Sequence, residues 1–283
     1  MMVNSIYLET TALIDLVLKG WHEELLQIVK TSDELTTSQY SKMEIQKGFL
    51  KNLILLFNKA NQCNSIERVY EFISNLSRSP NRYYLGACVD AMYLFERNYS
   101  NKRPKELSEQ YGNSKEGEIR IDSLKRTLRT IIRRCFHRID KAVKETYNPM
   151  SCFTDLEEPK EDNGMFLTKP SKCSDSNSIC SIKNYFIDNK TSFEQILIKL
   201  ESLEEKDDET KRRIKSLKEI LKMIRLNRPF SNHDDNYQLC WDCSDAVHAV
   251  IAPHTIITSN MRHFKPICDA IGKSVQGYSV NKI

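Results

Sequence analysis

Four acidic residues stand where the sequence predicts that a strand ends or a helix begins. Glu9 follows a short apolar run, Glu44 lies just inside a helix after a Thr-rich segment, and Asp242 and Asp245 open an apolar helix. If the strands form one parallel sheet, these carboxylates gather at its carboxyl edge, where open α/β sheets bind ligands. Carboxylates so close repel one another unless a hard divalent cation neutralises them. The pattern therefore predicts a Mg²⁺ or Mn²⁺ site for phosphate chemistry.

Each of these acids also has a purely structural interpretation. Glu44 is the third residue after Ser41, which is the spacing of a capping box. The two aspartates suit the first turn of a helix, where the helix dipole favours negative charge. Glu9 follows a strand, and we expect Thr10 to meet any capping need there. Taken as a set that includes Glu9, the four acids favour a metal site.

Composition and charge favour a folded protein in a reducing compartment. Hydrophobic residues make up 40% and charged residues 28% of the 283 residues, which is typical of a globular chain and not of a disordered one. No apolar run is long enough to cross a bilayer, and the N-terminus lacks the basic start of a signal peptide. Nine cysteines are an odd number, so we expect free thiols and a cytoplasmic location. Cys240 and Cys243 leave a zinc site open as a minor alternative.

The distribution of secondary structure predicts an α/β fold with a large helical insertion. Strand patterns occur only near the two ends of the chain, and the middle is helical. We therefore predict one discontinuous parallel-sheet domain, 1–79 and 233–283, with a mainly helical insertion at 80–232 and a mobile loop at 151–183. The predicted strands are 6–8, 35–40, 255–258 and 274–280, and the main predicted helices are 10–18, 21–29, 42–59, 65–76, 83–99, 122–146, 192–225 (with a turn near 206–208) and 245–252.

A basic helix is predicted at 122–146. It holds eight Lys or Arg residues against three acids, in a chain whose net charge is only +4. The cations on its polar face are Lys125, Arg126, Arg129, Arg133, Arg134, Arg138 and Lys141. This excess predicts a surface that contacts the phosphates of RNA. A solvated face and a contact surface for an acidic protein, such as an inhibitor, are the alternatives.

Four motifs at the two ends of the chain resemble those of the PIN-domain family of metal-dependent nucleases. They are an apolar strand followed by Glu9-Thr10-Thr11, an acid early in a helix at Glu44, an acid opening an Ala-rich helix at Asp245, and Thr258-Ser259-Asn260 before the aromatic Phe264. Two positions depart from the family pattern. Glu9 stands for the usual first Asp, and Asn260 stands for the usual fourth Asp. Asp242, one turn before Asp245, compensates for the missing charge.

This resemblance implies a PIN-like fold and an endoribonuclease activity. It implies two Mg²⁺ or Mn²⁺ ions held by Glu9, Glu44, Asp242, Asp245 and Asn260. Catalysis would fall to Glu9, Glu44 and Asp245, while Thr10, His248 and Thr258 would lie near the metals or the substrate. RNA would be cleaved to leave 5′-phosphates, with single-stranded DNA left open as a substrate. Members of the family serve as toxins or in phage defence, together with an inhibitor or an effector-complex protein. The alternative is a non-catalytic PIN-like module that binds RNA or a protein.

Overall fold

A five-stranded parallel sheet organises the fold. The computed structural model describes residues 4–19, 22–63, 65–78, 85–100, 116–149, 159–167, 181–228 and 234–279. The sheet strands are β1 Ser5–Leu8, β2 Glu34–Ser38, β3 Glu145–Tyr147, β6 Thr255–Thr258 and β7 Val275–Gly277, while β4 Glu161–Asp162 and β5 Met165–Phe166 form a separate hairpin. In the sheet the order is β3-β2-β1-β6-β7, and every pairing is parallel. The predicted α/β class with a parallel sheet is therefore confirmed.

The strand order reverses at β1, which places a ligand-binding position in the sheet. The chain builds β2 and β3 on one side of β1 and adds β6 and β7 on the other. In open parallel sheets such a reversal leaves a crevice beyond the carboxyl ends of the two strands that flank it. Here those strands are β1, which ends just before Glu9, and β6, which ends at Thr258.

Thirteen helices are described. Their bounds are α1 Thr10–Ile14, α2 Glu23–Lys30, α3 Gln39–Ile45, α4 Lys51–Cys63, α5 Ile66–Ser77, α6 Leu85–Ser100, α7 Glu116–Ala142, α8 Ile182–Asp188, α9 Lys190–Glu201, α10 Asp208–Arg225, α11 Asp234–Asp242, α12 Ser244–Ile251 and α13 Met261–Ala270. Single π-helical segments, Asp15–Lys19 and Gln46–Leu50, extend α1 and α3. No helix in this part of the chain combines the length and apolar character needed to cross a bilayer.

The predicted end of the basic helix was wrong. The helix α7 stops at Ala142 instead of continuing to residue 146, and β3 follows after two residues. Lys144 N–H donates to Leu35 O at 2.8 Å, so the chain joins the edge of β2 as soon as the helix ends. Thr146 and Tyr147 have high strand propensity, and the strong helical periodicity before them concealed the change. The central segment thus contributes one strand to the sheet.

The chain divides into two compact units. The sheet unit comprises Met1–Met43, Ile139–Leu156 and Pro170–Ile283, and the helical unit comprises Glu44–Arg138 and Glu157–Lys169. The core of the sheet unit includes Phe186, Phe193 and Leu217 together with Tyr7 and Phe264. The helices α8 to α10, which the sequence analysis placed in the insertion, therefore pack with the sheet. The turn predicted near 206–208 is present between α9 and α10.

A β-hairpin lies within the segment that was predicted to be a mobile loop at 151–183. Its turn is Asn163-Gly164, and both residues have positive φ angles, of 49° and 77°. Asn-Gly is the preferred sequence for such two-residue hairpins, so the signal was present and was overlooked. The Asn58 side chain bonds both the N–H and the C=O of Phe166 at 3.0 Å, which fixes the hairpin on α4. The remainder of the predicted loop up to 180 lies largely outside the described residues.

Phe166 is the side chain through which we expect the hairpin to stabilise the helical unit. It is buried, and its ring lies edge-on to Phe57 at 5.0 Å. Phe166→Ala should lower the free energy of unfolding by about 3–5 kcal/mol, because it removes a large buried ring and leaves a cavity. The matched control Met165→Ala, at a 40% exposed position, should cost less than about 1 kcal/mol. Urea unfolding followed by circular dichroism measures both, and equal costs would show that the hairpin is not a packed element.

Candidate functional site

Glu9 is buried and caps the first helix. Its side chain is 3% exposed, with Oε2 accepting from Thr11 N–H at 2.7 Å and Oε1 accepting from Ala12 N–H at 3.1 Å. Glu9 is therefore the N-cap of α1, and the expectation that Thr10 would meet this need was wrong. The capping role explains why an acceptor side chain stands at Glu9. It does not explain why this N-cap is a long, buried carboxylate, because a serine at the same position would also accept a hydrogen bond from the helix.

The surroundings of Glu9 favour its protonated form. The pKa of Glu9 is raised to about 7, chiefly by burial and also by the nearby Asp245 carboxylate. Hydrogen bonds from Thr11 and Ala12 and the interaction with His248 act in the opposite direction. The structure thus brings Glu9 and Asp245, from opposite ends of the chain, within electrostatic range of each other. A carboxyl group that titrates near neutral pH is suited to proton transfer or to cation binding.

A buried chain of hydrogen bonds links β1 to α12. Tyr7 donates its hydroxyl hydrogen to Ser38 Oγ at 2.7 Å, so His248 Nδ1–H must donate to Tyr7 Oη, at 2.8 Å. His248 Nε2 then accepts from the Thr10 hydroxyl at 3.1 Å. His248 is 1% exposed and lies edge-on to Tyr40. His248 and Thr10 are therefore positioning residues, and Tyr7, which sequence reasoning missed, connects them to the sheet.

Glu44 does not belong to a capping box at the start of α3. The helix α3 begins at Gln39, two residues before the predicted cap Ser41. Ser38 Oγ accepts from Ser41 N–H at 3.2 Å, so Ser38 is the residue that caps α3 and the predicted capping box was wrong. Glu44 instead lies in the second turn of α3 and is 7% exposed. A buried acid at this position has no helix-start role.

Asp242 is directed toward the helix α10. Its Oδ2 accepts from Ser216 Oγ and its Oδ1 accepts from Gln238 Nε2, both at 2.9 Å. Both carboxylate oxygens are therefore engaged: the bond from Ser216 joins α11 to α10, and the bond from Gln238 lies within α11. Of the four predicted acids, Asp242 has the arrangement least suited to a metal ligand.

Asp245 forms an ion pair with a buried arginine. Arg213 on α10 is 3% exposed, and its Nη2 donates to Asp245 Oδ2 at 2.6 Å and to Glu209 Oε1 at 3.1 Å. Its Nε and Nη1 are buried and have no hydrogen-bond partner among the described residues. The guanidinium thus lies where the sequence predicted a metal ion, against one predicted ligand and one acid that was not predicted.

His263 and Asn260 complete this cluster from the loop after β6 and the start of α13. Asn260 N–H donates to Thr258 Oγ1 at 2.9 Å, and the Asn260 amide nitrogen lies 2.9 Å from His263 Nδ1. His263 Nε2 contacts Asp207 Oδ2 at 3.1 Å, and its Nδ1 lies 3.3 Å from Glu209 Oε1. The hydrogen bond to Glu209 is the largest influence that raises the pKa of His263, while bonds from Thr210 lower the pKa of Asp207.

The cluster contains a set of potential metal ligands that differs from the predicted set. One ligand atom each from Glu209, Asp245 and His263 lies within 4.8 Å of the other two. Two carboxylate oxygens and an imidazole nitrogen are ligand types that Mn²⁺ and Zn²⁺ accept, but the Arg213 guanidinium lies between the two carboxylates. Sequence reasoning missed Glu209 and Arg213 because they lie on a helix far from the motifs.

Two of the predicted RNA-contacting cations on α7 share one carboxylate, that of Glu161. Arg129 donates from Nε and Nη2 to the Glu161 carboxylate, at 3.1 and 2.9 Å, and also lies over the Phe57 ring. Arg133 donates to the same carboxylate at 2.7 Å. The other predicted cations are half-buried or exposed, with Lys125 3.9 Å from Asp122: Lys125, Arg126, Arg134, Arg138 and Lys141. The opposite face of the helix is apolar and buried, and it includes Leu124, Leu128, Ile131, Cys135 and Ile139.

Neither family models, nor curated proteins, nor solved structures give a match to this chain. The class of protein that the fold defines is an α/β protein with a parallel sheet and an acidic cluster at its switch point. Any closer identification must come from the chemistry of the side chains.

The pKa of Glu9 predicts a specific dependence of stability on pH. Because the pKa is about 7 in the folded chain against an ordinary 4.5, the folded state binds more protons than the unfolded state between these values. The free energy of unfolding should therefore fall by about 3 kcal/mol, through Glu9 alone, as pH rises from about 4.5 to 7. Glu9→Gln should remove this loss, so the stability difference between wild type and variant should shift with pH.

Urea unfolding at pH 5 and pH 7.5 checks this prediction. Glu23→Gln, an exposed acid in the first turn of α2, is the control and should give a small difference that does not change with pH. If the Glu9→Gln difference is equally independent of pH, Glu9 is ionised at both values and its carboxylate is not perturbed by burial.

Proposed function

We propose that this protein is a divalent-metal-dependent endonuclease that hydrolyses phosphodiester bonds in RNA. The observation that supports the proposal is the electrostatic interaction of Glu9 with Asp245 at the carboxyl ends of β1 and β6. Two buried or half-buried carboxylates so close are costly unless positive charge accompanies them. Their location at a sheet reversal is one where ligands bind.

Asp245, Glu9 and Asn260 are the predicted residues of the sheet unit that we propose hold the metal. A bound divalent ion would neutralise the phosphate and acidify a water molecule. The chain itself supplies a carboxyl group at Glu9 that exchanges a proton near pH 7. The amides of Thr11 and Ala12 hold that carboxyl group in place, which limits the reorganisation that its change of charge requires.

The exposed and half-buried cations of α7 other than Arg129 and Arg133 are proposed to bind the RNA backbone. Arg134, Arg138 and Lys141 recur at intervals of four and three residues and so lie along one side of the helix. Arg129 and Arg133 instead bind Glu161, so they are less available for phosphates. Contacts of this kind position the strand without reading its sequence.

A second candidate function is a non-catalytic module that binds RNA or a protein. Two observations favour it: Arg213 already neutralises Asp245, and Asn260 brings no charge. The two functions differ in metal dependence. A nuclease should show a thermal shift with Mn²⁺ or Mg²⁺, whereas a module without a metal site should not.

Asp245→Asn tests the nuclease most directly. The wild type should cleave mixed single-stranded RNA in Mn²⁺, and the variant should lose at least about 100-fold in rate, because a neutral amide no longer offers a charged ligand. Asp269→Asn, at an exposed aspartate on α13 that pairs with Lys265, is the matched control and should cleave like the wild type. Single-stranded DNA serves as a parallel substrate. Equal residual cleavage by wild type and Asp245→Asn would eliminate the proposed site.

Charge reversal on α7 tests the RNA-binding surface. The double variant Arg134→Glu and Lys141→Glu should weaken RNA binding about equally for all sequences. It should also reduce the slope of log K against log[salt] by about 1.4, or about 0.7 for each lost phosphate contact to a single strand. Fluorescence anisotropy across a salt series measures both quantities.

The control carries the same charge change elsewhere. Lys211→Glu with Lys215→Glu alters two exposed lysines on α10 and should leave the slope near that of the wild type. If the α7 variant binds RNA like the wild type but loses stability or a co-purifying acidic protein, the surface contacts protein and does not contact RNA.

A further inference from the structure

A groove with an apolar floor lies between α9 and α10 in the sheet unit. Its volume is about 380 Å³. Leu221 lies at the floor and is 4% exposed, while Leu197 is half-buried and Ile198, on the outer wall, is 66% exposed. A single exposed isoleucine is ordinary on a protein surface, but one that borders a concave apolar groove marks a place where a partner can remove apolar area from water.

A row of cations borders this groove along α10. Exposed Lys and Arg residues recur there at intervals of four and three residues and so lie along one side of the helix: Lys211, Lys215, Lys218, Lys222 and Arg225. The row extends about 21 Å along the helix axis. Its last three members line the groove itself. Among the described lining residues Glu194 is the one acid, and it lies 3.6 Å from Lys190.

Ion pairs within the chain balance this row only in part. Lys211 lies 3.4 Å from Asp208, Lys218 lies 2.5 Å from Glu201, and Lys222 lies 3.8 Å from Glu219. The three lysine side chains remain more than half exposed, and ion pairs so exposed contribute little and exchange readily for other partners. Five cations therefore face three acids, and the row keeps an excess of positive charge.

The combination of an apolar floor with a basic border favours one kind of partner. A helix with apolar residues on one face and acids beside them would fill the groove and meet the cations at the same time. RNA would contact the cations but would leave the aliphatic floor uncovered, because bases stack on aromatic or guanidinium groups. A flat bilayer would reach Ile198 but would not reach the recessed Leu221.

We propose that the groove between α9 and α10 binds an acidic amphipathic helix of a partner protein. Apolar side chains of that helix cover Leu197 and Ile198, and its Asp and Glu side chains pair with Lys218, Lys222 and Arg225. The cations that we propose contact RNA lie on a different helix, so this inference does not depend on the nuclease activity.

Fluorescence anisotropy with a synthetic peptide tests the proposal on the full chain. The probe is a helical peptide of about 15 residues, which matches the length of the row. It carries leucines at every third or fourth position and glutamates on the flank of that face. The wild type should bind this peptide at least tenfold more tightly than a scrambled peptide of the same composition, which has no apolar face. Higher salt should weaken the binding.

Two variants separate the apolar and the basic contributions. Ile198→Asp and the double variant Lys218→Glu with Lys222→Glu should each weaken peptide binding at least tenfold. Ile187→Asp, at a 42% exposed isoleucine on α8, is the control for the first variant. Lys144→Glu with Lys265→Glu is the control for the second, because these exposed lysines also pair with an acid each. Both controls should bind the peptide like the wild type.

Four results would overturn the proposal. A wild type that binds the designed and the scrambled peptide equally, or an Ile198→Asp variant that binds like the wild type, would show that the groove does not accept a helix. Binding of poly-U RNA that only the lysine variant loses, without peptide binding, would make the row a nucleic-acid surface. Binding of phosphatidylserine vesicles that Ile198→Asp abolishes, without peptide binding, would make it a membrane surface. A wild-type dimer in sedimentation velocity that Ile198→Asp dissociates would assign the groove to a second copy of this chain.

Discussion

The burial of negative charge beside the central strand is the constraint on which the site depends. Glu9 follows β1 and is almost completely removed from water, and Asp245 lies close enough to raise its pKa. Two arrangements in the fold compensate this charge. The helix α1 directs two amide N–H groups at Glu9, and α10 directs a guanidinium at Asp245. Each arrangement is partial, since the pKa of Glu9 remains raised and two Arg213 nitrogen atoms have no acceptor among the described residues. A bound cation would complete both.

The sheet and its neighbouring helices hold these groups with little freedom. Tyr7, in the middle of β1, joins Ser38 at the end of β2 to His248 on α12 through buried hydrogen bonds. His248 in turn holds Thr10 at the start of α1. The elements that carry Glu9 and Asp245 are therefore tied together by a polar network inside the core. Such a network costs free energy if any member is lost, which favours one fixed geometry.

Local patterns made much of the framework predictable. The strands β1 and β6 and the helix α12 were located because apolar runs ended at clear polar or proline boundaries, and the α/β class followed. Errors arose where two local signals competed: Ser38 instead of Ser41 caps α3, and β3 begins where a periodic helix was expected to continue. The cluster of Glu209, Arg213 and His263 could not be predicted, because it forms only when the start of α10 lies beside the start of α13, and no sequence spacing links them.

Anomalous X-ray scattering from crystals soaked in MnCl₂ is the most direct test of a divalent-metal site at the carboxyl edge of the sheet. We predict an anomalous peak within about 2.2 Å of an Asp245 carboxylate oxygen. The Arg213 guanidinium should then have moved away from that oxygen. A map without a peak near Asp245, in which Arg213 Nη2 still donates to Asp245 Oδ2, would contradict the account and leave the cluster as an ion-pair network within the sheet unit.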